Sequence, residues 1–420
     1  MNKKICIIGG GYVGLPLAVA FANYFSVTVV TKSRLHAEEL SKGFDRTETF
    51  STEILQKDGI LFTSDIADAM DSTIFIVSVP TPVKSDNMPD LSPVEEATKS
   101  IASVLKKGDI VIYESTVFIG CTEEFCVPIL VKESTLTFNQ DFYVGFSPER
   151  INPADKEHTI HTVVKIIAGS TQEVTKTMED LYGKIVHAGL HIAPSIKTAE
   201  ASKLVENIQR DVNIALINEL SKVFHSLGVD TNDVINAAAT KWNFIPFRPG
   251  LVGGHCISID PYYMLYNGKK SGIDLPLIKL SRSINSTMVD YVVNTTIDLL
   301  KESNIEPKNA EVLMLGITFK ENCPDIRNSQ SASIFSKLNT KMKQVDLFDP
   351  VADHEEILRV YGINTLCIED LLTKKYDAII ITVAHTAYKI LPIKSFLRND
   401  IGIILDLKSL LPKEETDFRL

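Results

Sequence analysis

Cysteine is scarce in this 420-residue chain: Cys6, Cys121, Cys126, Cys256, Cys323 and Cys367, none in a C-x-x-C pair. That usage excludes a disulfide-stapled scaffold, and most of these thiols are expected to be small buried hydrophobes. Positive charge is also in deficit, with 43 Lys and Arg against 53 Asp and Glu and a formal net charge of -10. Neutralising duplex phosphates takes a basic footprint, so no nucleic-acid partner is expected, although a local Arg/Lys cluster can still hold a small anion. Long apolar runs are missing, and none reaches the about 18 residues of a membrane span. The N-terminal MNKKICIIGGGYVGLPLAVAFA is basic and then apolar. Three glycines interrupt it and no convincing cleavage site follows, so a cytoplasmic protein with no membrane partner is expected. Low-complexity tracts and short repeats are absent too. What remains is a globular composition, 45% hydrophobic and 23% charged, in a chain too long for one ordinary domain.

Short apolar runs alternate with helical stretches at the start: KKICII, VTVVT, STIFIVSV and GDIVIY each read as buried strands. Such alternation predicts right-handed βαβ units and a parallel sheet. A stretch without Gly or Pro, Ile196 to Ser226, predicts one long helix stopped near Gly228. Strand-like runs return in AEVLMLGITF, KQVDLFDP, YDAIIITVAH and IGIILDLK. The expected fold class is therefore α/β: an N-terminal Rossmann domain over 1–195, a central helical domain with the long helix over 196–304, and a smaller Rossmann-like α/β domain over 305–420. The long helix is a candidate for pairing subunits, and a homodimer is expected.

Gly9-x-Gly11-x-x-Gly14 follows the first strand and opens a helix, with Tyr12 and Val13 inside the turn. Glycines there permit a tight turn and close approach of a pyrophosphate, which the helix N-terminus favours, so NAD is the expected cofactor. The fingerprint calls for an acid about 20 residues on to hold the ribose. That position is Thr31, followed by Lys32, Ser33 and Arg34. With no carboxylate to repel a 2′-phosphate and two cations to bind one, NADP is also possible; an ordinary polar loop is the alternative. Pro80 and Thr81, and Thr116 after Glu114 and Ser115, follow later strands, at carboxyl edges where open α/β sheets bind ligands. Glu149 and Arg150 occupy a similar position, where a carboxylate can activate water, or can simply be solvated.

Lys203, Asn207 and Arg210 are spaced to share one helical face, either a solvated one or one that binds an anion. In Gly253-Gly254-His255-Cys256 the paired glycines let backbone come close to a ligand. A cysteine outside any apolar strand is placed for chemistry, with His255, Arg248, Lys203 or a helix terminus available to promote thiolate; a buried structural thiol is the alternative. Cys256, His255 and Asp260 are too few and too unevenly spaced for zinc, so no metal is expected. Phe319 and Lys320 close a strand of the last domain and Arg327 follows it, where a Lys and an Arg suit a diphosphate; ordinary solubilising charge at a strand end is the alternative.

In this order GxGYVGLP, VPTP, ESTV, SPER, SKLxEN, GGHCxxxDP, GxTFKxxxxDIR and FDP resemble the UDP-glucose/GDP-mannose dehydrogenase family from end to end. VENIQRDVNIALINE and KWNFIPFRPGLVGGHC are similar to the bacterial members that act on UDP-N-acetylhexosamines and supply acidic sugars for capsules and O-antigens, as in Vi-type polysaccharide synthesis. The resemblance implies a UDP-sugar substrate oxidised at C6, with UDP-GlcNAc or UDP-GalNAc preferred over UDP-ManNAc or UDP-glucose. It implies Cys256 as covalent nucleophile, Lys203 and Asn207 beside C6, and Asp260 orienting Lys203 or a water. Thr116 and Glu149 would assist hydride transfer and hydrolysis. Lys320 and Arg327 would hold the nucleotide-sugar, with Arg327 reaching the coenzyme as well, and Arg248 would reach a neighbouring subunit's substrate. Glu149, Arg150, Arg210, Gly253 and Phe319 complete the expected substrate contacts. Family members usually carry Asp where this chain has Thr31. Two other readings compete. A two-electron 3-hydroxyacid dehydrogenase would leave Cys256 and the last domain without a use, and a non-catalytic sensor would not need a nucleophile.

Overall fold

The computed structural model describes residues 3–47, 49–151, 155, 157–254 and 256–420. By packing, the chain divides into two compact units. The first runs to Glu206 and takes in Tyr262–Asp274; the second comprises Asn207–Pro261 and Leu275–Leu420.

The first unit is built on eight strands: β1 Lys4–Ile8, β2 Ser26–Val30, β3 Ile60–Thr63, β4 Ile74–Val77, β5 Ile110–Tyr113, β6 Tyr143–Phe146, β7 Lys165–Gly169 and β8 Leu190–Ile192. Their order is β3-β2-β1-β4-β5-β6-β7-β8. β4 (IFIV) and β5 (IVIY) are buried at every position, as strands covered by helices on both faces must be. Ile5, Ile7, Val27, Ile74 and Ile76 form one core with Leu17 and Phe21 of the Gly14–Ala22 helix. The pairing is parallel as expected, except that β7 runs antiparallel to β6. The order 3-2-1-4-5-6 reverses direction between β1 and β4, and a ligand crevice opens at the carboxyl ends there.

The second unit carries β9 Glu311–Leu315, β10 Gln344–Phe348, β11 Ala378–Ile381, β12 Ile403–Asp406 and β13 Phe418–Arg419, ordered β10-β9-β11-β12-β13 and all parallel. Side chains alternate faces. Val312 and Met314 join Met288, Val289 and Val292 of the Pro276–Glu302 helix, while Leu313 and Leu315 join Phe348, Ile379 and Ile381 on the other side. Here the order reverses between β9 and β11, so a second crevice opens above Gly316 and Thr382.

The helix Ile196–Ser226 matches the unbroken stretch read from sequence. Its buried stripe is unusually polar: Glu200, Lys203, Asn207, Asp211, Asn218 and Ser221 are all buried. Burying these groups is costly without partners, so each signals a network or a site. Among the described residues, no helix is long and apolar enough to cross a membrane.

Candidate active site

The glycine turn is built as the pattern requires. Gly9 has φ +110°, and a Cβ there would lie 2.8 Å from Ser78 O. At Gly14 a Cβ would lie 1.8 Å from Gly9 O, so only glycine lets the helix start so close to the strand. Gly11 is different: a Cβ would meet nothing within 4 Å. Its open side is where a pyrophosphate can come against backbone, so the cradle fits a dinucleotide. Tyr12 and Val13 are half-buried beside it.

Thr31 is buried, and its hydroxyl donates to Ser33 O at 2.9 Å. The two cations after it already have carboxylate partners: Lys32 pairs with Glu96 at 2.6 Å and Arg34 with Glu38 at 2.9 Å. Ser33 Oγ caps the Arg34–Ser41 helix by accepting from His36 N. Across the crevice, Ser115 Oγ donates to Val79 O at 2.7 Å, and Tyr263 Oη donates to Thr81 O at 3.1 Å. The first bond ties the loop of Pro80 and Thr81 to the loop of Thr116, and the second ties it to the helix that carries Tyr263.

The Thr116 loop is held at its far end too. Glu200 accepts from Gly120 N at 2.5 Å and Thr122 N at 2.9 Å, while Asn267 bonds both the N–H and the C=O of Ile119. Burial pushes Glu200 up to about 7 against the pull of the two amides. Glu114 is fully enclosed, accepting from Lys165 at 2.7 Å and Tyr182 at 2.5 Å. Burial raises its pKa and Lys165 opposes the shift, so Glu114 ties β5 to β7. No pattern in the sequence pointed to Lys165, Tyr182 or Glu200, because their partners lie far along the chain.

Glu149 shows an asymmetry. Its Oε1 accepts from Arg150 N and Ile151 N, both at 2.6 Å, while Oε2 is buried with no hydrogen-bond partner among the described residues. A buried carboxylate oxygen held ready in this way is suited to accept a proton. Lys203 is buried and donates to Glu149 O at 2.7 Å, which among the described residues leaves two of its three N–H donors for other acceptors. Arg150 pairs with Glu206 at 2.9 Å.

In the second unit, Asn207 Nδ2 donates to Asp260 Oδ2 at 2.6 Å, and both residues are buried. Asp260, expected to orient Lys203 or a water, accepts here from Asn207. Arg210, expected on the same face, is exposed. Cys256 and Cys367 are exposed, whereas Cys6, Cys121, Cys126 and Cys323 are buried; of the two exposed thiols, Cys256 is the one beside paired glycines. Its carbonyl accepts from Ile259 N and Asp260 N, starting the helix that follows. His255 lies outside the described residues.

Paired glycines shape the Cys256 loop. A Cβ on Gly253 would lie 2.6 Å from Asn328 O, and one on Gly254 would lie 2.7 Å from the Phe319 ring. Upstream, Asn218 clamps Gly250 in both directions, accepting from its N–H at 2.8 Å and donating to its C=O at 3.0 Å. Asn218 also donates to Asn285, which in turn donates to Asp211, the partner of Arg282. Arg248 donates to Asn232 at 2.8 Å and to Asn236 at 2.5 Å. Lys320 follows Phe319 on the loop after β9, and Arg327 makes a two-pronged pair with Asp325.

A dinucleotide cradle on one sheet, a second switch-point crevice on another, and an exposed thiol on a glycine-framed loop define an NAD-linked oxidoreductase with a further ligand site. Comparison with known proteins makes this specific. The family models of the UDP-glucose/GDP-mannose dehydrogenases match in chain order: the NAD binding domain over residues 3–186, the central domain over 197–287 and the UDP binding domain over 313–413. The UDP-N-acetyl-D-glucosamine 6-dehydrogenase of Salmonella typhi is 45% identical over 99% of this chain and 98% of its own. That of Pseudomonas aeruginosa is 45% identical over the full length of both. Among solved structures, the UDP-D-ManNAc dehydrogenase of Pyrococcus horikoshii superposes with a TM-score of 0.90 at 30% identity, covering 99% of this chain and 98% of that one. The chain belongs to the UDP-glucose/GDP-mannose dehydrogenase family. It is a nucleotide-sugar dehydrogenase with NAD as cofactor and a UDP-sugar as substrate.

Proposed function

We propose that this chain oxidises C6 of a UDP-N-acetylhexosamine, UDP-GlcNAc or UDP-GalNAc, from alcohol to carboxylate, for acidic surface polysaccharide synthesis. The observation that carries the reading is Cys256, exposed on a loop held by Gly253, Gly254, Phe319 and Asn328. The 45% identity to UDP-N-acetyl-D-glucosamine 6-dehydrogenases supports the choice of sugar.

Converting CH₂OH to COO⁻ removes four electrons, and bound NAD supplies a two-electron hydride acceptor, so two are consumed in turn. Gly9, Gly11 and Gly14 would hold its pyrophosphate, with the Thr31 and Thr81 loops placed to take the rest of it. At the aldehyde stage the Cys256 thiolate adds to C6, forming a C–S bond that retains the reactive carbonyl. The resulting thiohemiacetal loses hydride to become a thioester. Water then adds, the C–S bond breaks, and the thiolate leaves as the carboxylate forms. Glu149 Oε2 takes the proton of that water. Lys203 and Asn207 donate to the oxyanions, Asn207 being aimed by Asp260. Arg248 is assigned to a neighbouring subunit's substrate, and Lys320 and Arg327 to the diphosphate. NADP is a second acceptor if Lys32 and Arg34 exchange their carboxylates for a 2′-phosphate.

The test is reduced-nicotinamide absorbance with a panel of UDP-sugars, each offered NAD or NADP. Two reduced coenzymes per UDP-N-acetylhexosamine are expected, and Cys256→Ser should form almost no carboxylate. One coenzyme per sugar, or full carboxylate from the serine variant, contradicts the covalent route.

A further inference from the structure

Resting on the nucleotide-sugar reading above, we infer that His385 is a positioning residue for the nucleotide half of the substrate, acting by fixing the loop after β9. His385 is fully buried and follows β11, so it stands at the strand reversal of the second sheet, where that sheet's crevice opens. No step of the proposed chemistry uses it.

Its hydrogen bonds define what it does. His385 Nδ1 accepts from Asn322 N at 3.0 Å, so the ring proton is on Nε2. Nε2 lies 3.2 Å from both Asp349 Oδ2 and Thr318 Oγ1. The Thr318 hydroxyl donates to Lys320 O at 2.8 Å, so its oxygen is left to accept from the ring. Asp349 also accepts from Ile317 N at 2.7 Å and Ala352 N at 3.0 Å, joining the loops after β9 and β10. Asn322, at φ +55°, exchanges both amide bonds with Thr386. His385 is thus the buried peg on which residues 317–322 hang.

That loop carries two consequences. It presents Lys320, and it places the Phe319 ring against Gly254, two residues before Cys256. Loosening the peg should disturb nucleotide binding first, because the loop borders the crevice directly.

Two substitutions divide the ring's two bonds. His385→Asn keeps an acceptor where Nδ1 stands and so preserves the Asn322 bond. His385→Gln keeps a donor where Nε2 stands and so preserves the Asp349 bond while losing Asn322. In the full-length protein, His385→Gln should weaken UDP binding, read by calorimetry with UDP itself, about threefold to tenfold, as expected when a part-buried amide loses its acceptor. It should raise KM for the UDP-sugar by the same factor, with kcat and the KM for NAD within about twofold. His385→Asn, which keeps the Asn322 bond but loses the ring's contacts with Asp349 and Thr318, should weaken UDP binding less than His385→Gln does. Equal damage from both variants, unchanged UDP affinity in His385→Gln, or a matching rise in the KM for NAD overturns the inference, as does a wild type that binds no UDP. If either variant fails to fold, Thr386→Val replaces it. This exposed change removes one Asn322 bond and should weaken UDP about threefold; no weakening overturns the inference. A wild type that binds UDP yet oxidises no UDP-sugar sinks the proposed function alone, because the binding comparison remains readable.

Discussion

Lys203 can act on more than one acceptor because, among the described residues, one of its three donors is committed, to Glu149 O at 2.7 Å. Burial strips competing water from the ammonium, so a developing oxyanion gains more from it than it would at the surface. Lys203→Ala should therefore lower kcat by about 10²–10³ while leaving the affinity for UDP within a few-fold. Stopped-flow nicotinamide absorbance and UDP calorimetry check the two halves of that statement. A large loss of UDP affinity with little change in kcat would assign Lys203 to anchoring instead. Cys256, Lys203, Asn207 and Glu149 stood out as reactive residue types at loop or helix positions. The partner of Asp260 was not legible, since Asn207 and Asp260 are 53 positions apart and only the fold brings them to 2.6 Å.

Among the elements, the Ile196–Ser226 helix is unusual in turning a polar stripe inward. Glu200 is its clearest energetic signature. Its folded pKa is raised to about 7 from 4.5, chiefly by burial. The sign follows from linkage: between those values the unfolded chain has lost a proton that the folded chain still holds. Folding is thus favoured below about pH 4.5, and the contribution is lost as pH rises to about 7, a change on the order of 3 kcal/mol. Glu200→Gln should narrow the stability difference between pH 5 and pH 7.5, measured by urea unfolding at each pH. A wild-type-sized difference would mean that Glu200 does not titrate in that window. The helix itself was plain in the sequence, because an unbroken stretch without Gly or Pro has few alternatives. Its inward face was not, because Glu, Lys and Asn at helical spacing describe a solvated surface equally well.

For the molecule as a whole, a homodimer is the expected unit. The long helix leaves Leu216 and Val223 exposed at 51% and 50%, Leu227 just past its end is exposed at 69%, and Trp242 and Ile245 stand out at 92% and 63%. Apolar surface on this scale favours a partner, and a symmetric second copy is the simplest one. Light scattering should report the mass of two chains, and Leu216→Glu with Val223→Glu should shift it to one. A monomeric wild type would remove Arg248 from any role across subunits.

The sequence alone determined the α/β class, the glycine turn and the order of motifs along the chain. These depend on local rules: strand and helix periodicity, the steric needs of a tight turn, and the reactivity of a thiol placed on a glycine-framed loop. It also carried the family resemblance, because the motifs recur in one order from end to end. Only the tertiary structure decided which buried groups support the site. Glu114 meets Lys165 across the sheet, Asn218 clamps Gly250, and His385 holds Asn322 across a strand reversal. Each is a polar pairing between residues 32 to 63 positions apart. Their energies depend on burial and on angles that only the folded chain creates.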